Sequence, residues 1–378
     1  MLRTLVIAIL LGAAPANANA NAATAARQSG TLVAATPLAG APGGAAAWRI
    51  RYRSLGTDNR PVTISGVVIV PAGPVPRGGR DIIAWTHGTS GVAEHCAPSD
   101  SPALWTSIAG LPDMLARGYV VVATDYQGLG NPGPHPYLAG PATGRAVLDS
   151  VRAAGGIARA DSSGRYAVWG ESQGGHAALW TGKTAAGYAP ELKLVGIAAA
   201  APPTDLTANL TGGANGPVRA LLTAYTGASW SKTYNAPLSA ITGPVGRDLI
   251  TRLARNCVSL DGFKVRTQVG LVRLTAILRG VDISQSPPWA VLLRRNSATP
   301  EGLTMPVLIA QGGKDPIVAP AVTRDFANRL CRNNRNVRYL GVPDGDHITI
   351  AKRTSAATLD WLGDRFAARP APNDCGRF

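Results

Sequence analysis

With 378 residues, 46% of them apolar and spread along the chain, the protein can bury a large core, either as one big α/β domain with an insertion or as two modest domains; a peptide or a disordered tail is excluded. The formal charge of +15, from 37 Lys and Arg against 22 Asp and Glu, raises nucleic acid or an anionic surface as partners. The basic residues are scattered singly, however, and the densest group, Arg329, Arg332, Arg335 and Arg338, has no aromatic stacking motif among it, so a solvated basic face is expected and nucleic acid is not.

The chain opens with Met1-Leu2-Arg3, an apolar run over 5–14 and the small-residue sites of Ala16-Asn17-Ala18-Asn19-Ala20, so residues 1–22 read as a secretory signal peptide. The run is about half of what spans a bilayer, which favours removal over anchoring, and no later segment qualifies as a membrane helix. A secreted or periplasmic protein is expected. Its four cysteines, Cys96, Cys257, Cys331 and Cys375, fit an oxidising compartment as two disulfides, since none has CxxC spacing. Three pairings are open and composition does not choose among them; Cys96 with Cys257 and Cys331 with Cys375 is the favoured one.

A Pro-, Gly- and Ala-rich lead-in precedes alternating stretches over 48–52 and 62–70, which predict an opening antiparallel pair. From residue 81 the strands become continuous apolar runs alternating with helical stretches, the pattern of a mostly parallel sheet covered by helices on both faces. Strands are predicted at 82–86, 119–124, 166–169, 194–199 and 306–310, with a sixth at 337–340. Helices are predicted at 104–117, 143–154, 174–186, 319–329 and 351–366. Residues 204–302 are too many for a simple connection, and the helical candidates 217–225, 246–255 and 265–279 within them predict an inserted α-helical cap. The core would then be 23–203 with 303–378, and the cap 204–302.

The segment Gly170-Glu171-Ser172-Gln173-Gly174-Gly175-His176 places G-x-S-x-G between an apolar strand and a helix. A serine held at so tight a turn needs small neighbours two residues away on each side, and the helix that follows points its N–H groups at a reacting carbonyl. Ser172 is therefore the candidate nucleophile. Serine needs a base, and only five histidines are available: His87, His95, His135, His176 and His347. His176 is one helical turn beyond Ser172, His95 and His135 lie in loops beside Cys96 and prolines, and His87 ends an upstream strand. The order nucleophile, acid, base along the chain leaves room only for His347, in the polar loop Pro343-Asp344-Gly345-Asp346-His347.

Ten carboxylates separate Ser172 from His347. Asp315 directly follows the 306–310 strand in Gln311-Gly312-Gly313-Lys314-Asp315-Pro316, at the carboxyl end of a parallel strand and so on the same rim as Ser172. Asp344 and Asp346 are too near His347 in the chain, and Asp325 falls within a helix. Oxyanion donors are expected from the backbone N–H of Gln173 and from the loop Trp85-Thr86-His87-Gly88-Thr89-Ser90-Gly91, with Thr89 favoured and His87 bracing the loop.

These residues resemble the secretory lipase family of α/β-hydrolases, its capped branch of the yeast lipase A type, over most of residues 80–375. The likeness is carried by Cys96-Ala97-Pro98-Ser99, Gly118-Tyr119-Val120-Val121 leading to Asp125 and Gly128, the elbow ending in Gly174-Gly175, Tyr188-Ala189-Pro190-Glu191-Leu192, Asp315 in Asp-Pro-Ile-Val, and His347. The resemblance implies an α/β-hydrolase fold, hydrolysis of carboxylic esters (often triacylglycerols) under a helical cap, and disulfides paired Cys96–Cys257 and Cys331–Cys375. This chain has His87-Gly88-Thr89 where the yeast branch uses an aspartate, so the second oxyanion donor and the preference for long acyl chains do not carry over.

Gly128-Leu129-Gly130-Asn131-Pro132-Gly133 matches G-x-G-x-x-G, but Pro132 and Pro134 stop a helix from starting where a pyrophosphate would need one, and Asp125 is expected to cap this turn. With no HExxH and no clustered His and Cys, neither metal nor cofactor is implied. The expected function is that of a lipase or esterase acting on an ester or lipid substrate, with transient contact at a lipid interface. A serine peptidase of the same fold is disfavoured because 204–302 offers no acidic pair to hold a peptide amine. A non-catalytic binding protein on this scaffold is disfavoured because all three candidate residues are present. Acyl length, interfacial activation and oligomeric state are not legible.

Overall fold

The computed structural model describes residues 28–213, 216–258 and 265–378; the proposed signal peptide, 1–22, lies outside them. Among the described residues nine strands form one sheet: β1 Leu32–Leu38, β2 Ala46–Leu55, β3 Pro61–Val70, β4 Arg80–Thr86, β5 Val120–Thr124, β6 Ser162–Glu171, β7 Lys193–Ala200, β8 Val307–Gly312 and β9 Val337–Val342, in the order β1-β2-β3-β5-β4-β6-β7-β8-β9. β1 to β3 are antiparallel neighbours, β3 meets β5 antiparallel, and every pair from β5 to β9 is parallel. The opening unit thus has three strands rather than the two expected. β1 is Ala-rich, contains Pro37 and buries almost nothing, so it carries no alternating pattern and is held by its pairing with β2.

The inner strands β5 and β8 are buried along their whole length, which is why they read as unbroken apolar runs. β4, next to β5, shows the period of two. Ile82 and Ala84 face one apolar layer with Val147 and Val151 of helix α1 (Gly140–Gly155) and Leu179 of α2 (Gln173–Tyr188). Ile83 and Trp85 face the other layer with Met114 and, from the final helix, Leu362.

The predicted helix 104–117 is two short ones, Leu104–Ser107 and Leu111–Ala116, with Gly110 between them at φ 67°. Pro112 is the reason, since within a continuous helix its ring would strike the carbonyl of residue 108, and it is tolerated only in a first turn. The predicted helix 351–366 likewise divides into Ile350–Arg353 and Ser355–Phe366, where the Thr354 hydroxyl bonds back to the Ile350 carbonyl at 2.7 Å.

Among the described residues between β7 and β8 there are four longer helices: α3 Gly216–Thr233, α4 Pro244–Leu253, α5 Val265–Ile277 and α6 Trp289–Asn296, the last of which has no counterpart among the predicted elements. They share their own apolar cluster, including Leu221, Tyr225, Ile250, Leu274 and Trp289, and Tyr137 and Leu138 of the loop after β5 enter it. Trp230 stacks on Trp289 at 6.0 Å. The remaining long helices, α7 Pro320–Arg332 and α8 Ser355–Phe366, follow β8 and β9. Cys96 is bonded to Cys257 and Cys331 to Cys375. The first bond joins the loop after β4 to the stretch after α4, and the second ties α7 to the C-terminal segment. No helix among the described residues is long and apolar enough to cross a membrane.

Candidate active site

Because β4, β6, β8 and β9 run parallel, their carboxyl ends lie along one edge of the sheet, and the loops that leave them meet there. β6 ends at Glu171, α2 begins at Gln173, and the residue between, Ser172, has φ 53° and ψ −120°. That backbone region is costly for a residue with a Cβ. The turn persists because its neighbours allow nothing else. A Cβ on Gly170 would overlap the Thr86 hydroxyl, and one on Gly174 would overlap the Thr86 carbonyl. Ser172 N–H donates to Ala200 O at 2.8 Å, and His176 N–H returns to Ser172 O at 3.0 Å.

His347 brings both ring nitrogens into use. Nδ1 lies 2.8 Å from Asp315 Oδ2, and Nε2 lies 2.8 Å from Ser172 Oγ. A carboxylate only accepts, so the ring hydrogen sits on Nδ1 and the Nε2 lone pair accepts from the serine hydroxyl. Asp315 is itself fixed: Oδ1 accepts the N–H groups of Ile317 at 2.8 Å and Val318 at 2.9 Å, and Oδ2 accepts Gln311 Nε2 at 3.0 Å. Asp315 and His347 are 6% and 7% exposed, so this chain of bonds runs largely out of water.

The other acids considered are engaged elsewhere. Asp344 pairs with Arg353, Asp346 caps the turn at Thr349, and Asp325 pairs with Arg329 one helical turn on. The other buried histidines are also committed. His176 donates from Nε2 to Asn296 O at 2.7 Å, docking α2 on α6, and burial lowers its pKa to about 4. His87 stands between the carbonyls of Gly88 and Asp125. A Cβ on Gly88 would lie 3.6 Å from Glu171, so the loop after β4 runs close beside the residue that precedes Ser172. One residue on, the Thr89 hydroxyl is 2.8 Å from Tyr137 OH. Gln173 opens α2, and its side chain reaches His135 Nε2 at 3.1 Å.

The turn after β5 is no dinucleotide site. Gly128 and Gly130 both have positive φ, and the next helix does not begin until Gly140. Asp125 does more than cap it: its buried carboxylate accepts Ser65 Oγ at 2.7 Å, Ser99 Oγ at 2.6 Å and Ser99 N–H at 2.9 Å.

A model of the secretory lipase family matches residues 105–374. The chain belongs to the secretory lipase family. It is 24% identical to lipase A of Moesziomyces aphidis over 81% of this chain and 69% of that one. It is 26% identical to a probable inactive lipase of Mycobacterium tuberculosis over 86% of this chain and 74% of that one. Among solved structures, Candida antarctica lipase A in its closed state superposes with a TM-score of 0.76 at 21% identity, over 96% of this chain and 86% of that one. The rice cell wall degrading esterase LipA from Xanthomonas oryzae superposes with a TM-score of 0.71 at 21% identity, over 90% and 99%. The fold is that of an α/β-hydrolase, and the family makes this chain a carboxylic-ester hydrolase whose substrate is an ester or a lipid.

Gln311 and Glu171 are among the residues of this secretory lipase that escaped the sequence reading. Gln311, the penultimate residue of β8, holds Asp315, and its only signal is a position four residues upstream of the acid. Glu171 directly precedes Ser172, and burial raises its carboxyl to about 7 against the opposing pull of His347 and Lys352. It was legible only as the x of G-x-S.

Proposed function

We propose that this chain is a secreted serine carboxylic-ester hydrolase working through an acyl-enzyme on Ser172. The observation that carries the reading is the unbroken chain from Asp315 Oδ2 through the His347 ring to Ser172 Oγ, with both contacts at 2.8 Å. Asp315 sets the tautomer and steadies the imidazolium that forms when His347 takes the serine proton. The serine oxygen attacks the ester carbonyl, the alcohol leaves with the proton held by His347, and water, deprotonated by the same ring, releases the acid. Gln173 N–H and Thr89 supply the oxyanion site. Kinship alone does not carry this step, since one relative at 26% identity is described as a probable inactive lipase.

Residues 1–22 serve as the export signal, and the two disulfides fit the oxidising compartment it leads to. Residues 204–302 act as a helical cap over the site. A lipid surface as the place of contact is supported by α5, where Val265, Val269 and Val272 are 74%, 48% and 64% exposed at i, i+4, i+7 spacing, with Arg266 and Arg273 alongside.

Turnover of p-nitrophenyl acetate, butyrate and palmitate, set beside aminoacyl nitroanilides, tests the reading. Ester turnover that Ser172→Ala lowers by at least about 10⁴-fold is expected. Retained activity in that variant, or amide turnover without ester turnover, overturns it.

A further inference from the structure

The loop between β5 and α1 touches both residues to which the oxyanion is assigned. His135 Nδ1 is 2.8 Å from Gln127 O, and a carbonyl can only accept, so the ring hydrogen sits on Nδ1. Burial lowers the His135 pKa to about 3, which keeps the ring neutral and its Nε2 lone pair bare. Gln173 Nε2 donates to it at 3.1 Å. Two positions on, Tyr137 OH lies 2.8 Å from Thr89 Oγ1, and burial pushes this phenol up to about 12, so it keeps its proton.

The tripeptide His135-Pro136-Tyr137 is itself gripped by α3. Ser229 Oγ donates to His135 O at 2.6 Å and accepts Tyr137 N–H at 2.9 Å, while Trp230 Nε1 donates to Tyr137 O at 2.8 Å. The Tyr137 ring meets Tyr225 of the same helix edge-on at 6.0 Å. Hydrogen bonds hold the Tyr137 backbone on both its N–H and its carbonyl and the ring packs on Tyr225, which places its hydroxyl against Thr89.

We infer that Tyr137 is a positioning residue for the oxyanion site: its hydroxyl donates to Thr89 Oγ1, which leaves the Thr89 hydroxyl hydrogen to point onward to the developing negative charge. The inference rests on the proposed roles of Ser172 as nucleophile and of Thr89 as second oxyanion donor. Each hydroxyl has one hydrogen and two lone pairs. With the Thr89 oxygen already accepting, its own hydrogen is available and polarised, and a donor aimed in advance costs no reorganisation when charge develops. Through Ser229 and Trp230, the same arrangement makes the placement of this donor depend on how α3 packs.

The test uses the full chain and p-nitrophenyl butyrate, reading kcat, KM and the thermal midpoint for Tyr137→Phe, Thr89→Val, Thr89→Ser and the double variant Tyr137→Phe/Thr89→Val. Thr89→Val is expected to lower kcat by about 100-fold. Tyr137→Phe is expected to lower it by about 10-fold, each with KM within about twofold of the parent. Thr89→Ser keeps the hydroxyl and so retains kcat within about threefold. Because Tyr137 acts through Thr89, the double variant should be no slower than Thr89→Val alone. A Tyr137→Phe protein with parental kcat overturns the inference, as do losses that multiply in the double variant. If Tyr137→Phe does not fold, the contrast between Thr89→Val and Thr89→Ser decides, and parental kcat in Thr89→Val overturns it. The Ser172→Ala assay separates the two levels: an inactive Ser172→Ala with a fully active Tyr137→Phe defeats this inference and leaves the acyl-enzyme reading standing.

Discussion

Glu171 shows how a single position beside Ser172 couples folding to pH. Its carboxyl is held near 7 by burial, above the ordinary 4.5 that it regains when the chain unfolds. Between those values the folded state binds more protons than the unfolded state, so its contribution to stability is fully present below about 4.5 and is lost as pH rises through about 7. Glu171→Gln removes this loss. Urea unfolding at pH 5 and pH 8 should show the variant gaining roughly 2 kcal/mol on the parent at the higher pH and little at the lower; an equal difference at both pH values would contradict the assignment. At this scale Ser172, Asp315 and His347 could be nominated from the sequence because glycine spacing, strand ends and the scarcity of histidine each exclude alternatives. Gln311 and Tyr137 could not be, because neither belongs to a motif; each is defined only by what it touches.

The elements show where a linear pattern suffices and where it fails. Buried parallel strands such as β5 and β8 announce themselves as apolar runs, whereas β1, exposed along most of its length, has no apolar face to repeat. Asp125 shows what joins one element to the next, tying Ser65 on β3 and Ser99 beyond Cys96 to the end of β5. Asp125→Ala strands the Ser99 N–H and Ser99 hydroxyl in a dry site, while Ser65 Oγ keeps the Leu129 carbonyl at 3.1 Å, and should cost about 3 kcal/mol in urea unfolding, with parental stability as the contrary result. On α5, replacing Val265, Val269 and Val272 together by Ser should reduce turnover of emulsified tributyrin several-fold. Turnover of dissolved p-nitrophenyl acetate should stay within about twofold, because those side chains face solvent rather than the core. Equal loss on both substrates would argue against contact with a lipid surface.

Over the whole molecule the two disulfides divide the work by span. Cys331–Cys375 closes 44 residues, for which chain entropy gives about 4 kcal/mol, and Cys96–Cys257 closes 161, for about 5 kcal/mol. The double replacement Cys331→Ala/Cys375→Ala should therefore lower unfolding free energy by up to about 4 kcal/mol while leaving kcat on a soluble ester within about twofold, since that bond ties α7 to the C-terminal segment and not to the rim of the sheet. A collapse of kcat in a protein that remains folded would show that the bond bears on the site.

The sequence by itself determined the alternation of strand and helix and the serine turn, which depend on short-range sterics or on periodicity within a dozen residues, and the existence of an inserted helical stretch, which follows from a connection too long to be a loop. Only the tertiary structure decided that His347 lies 2.8 Å from both Asp315 and Ser172, that Gln311 holds Asp315, and that Tyr137 meets Thr89 while α3 grips it from behind. Those contacts join residues up to 175 positions apart. What places them is the parallel stacking of strands whose loops all leave from one edge, and no local preference of the chain encodes it.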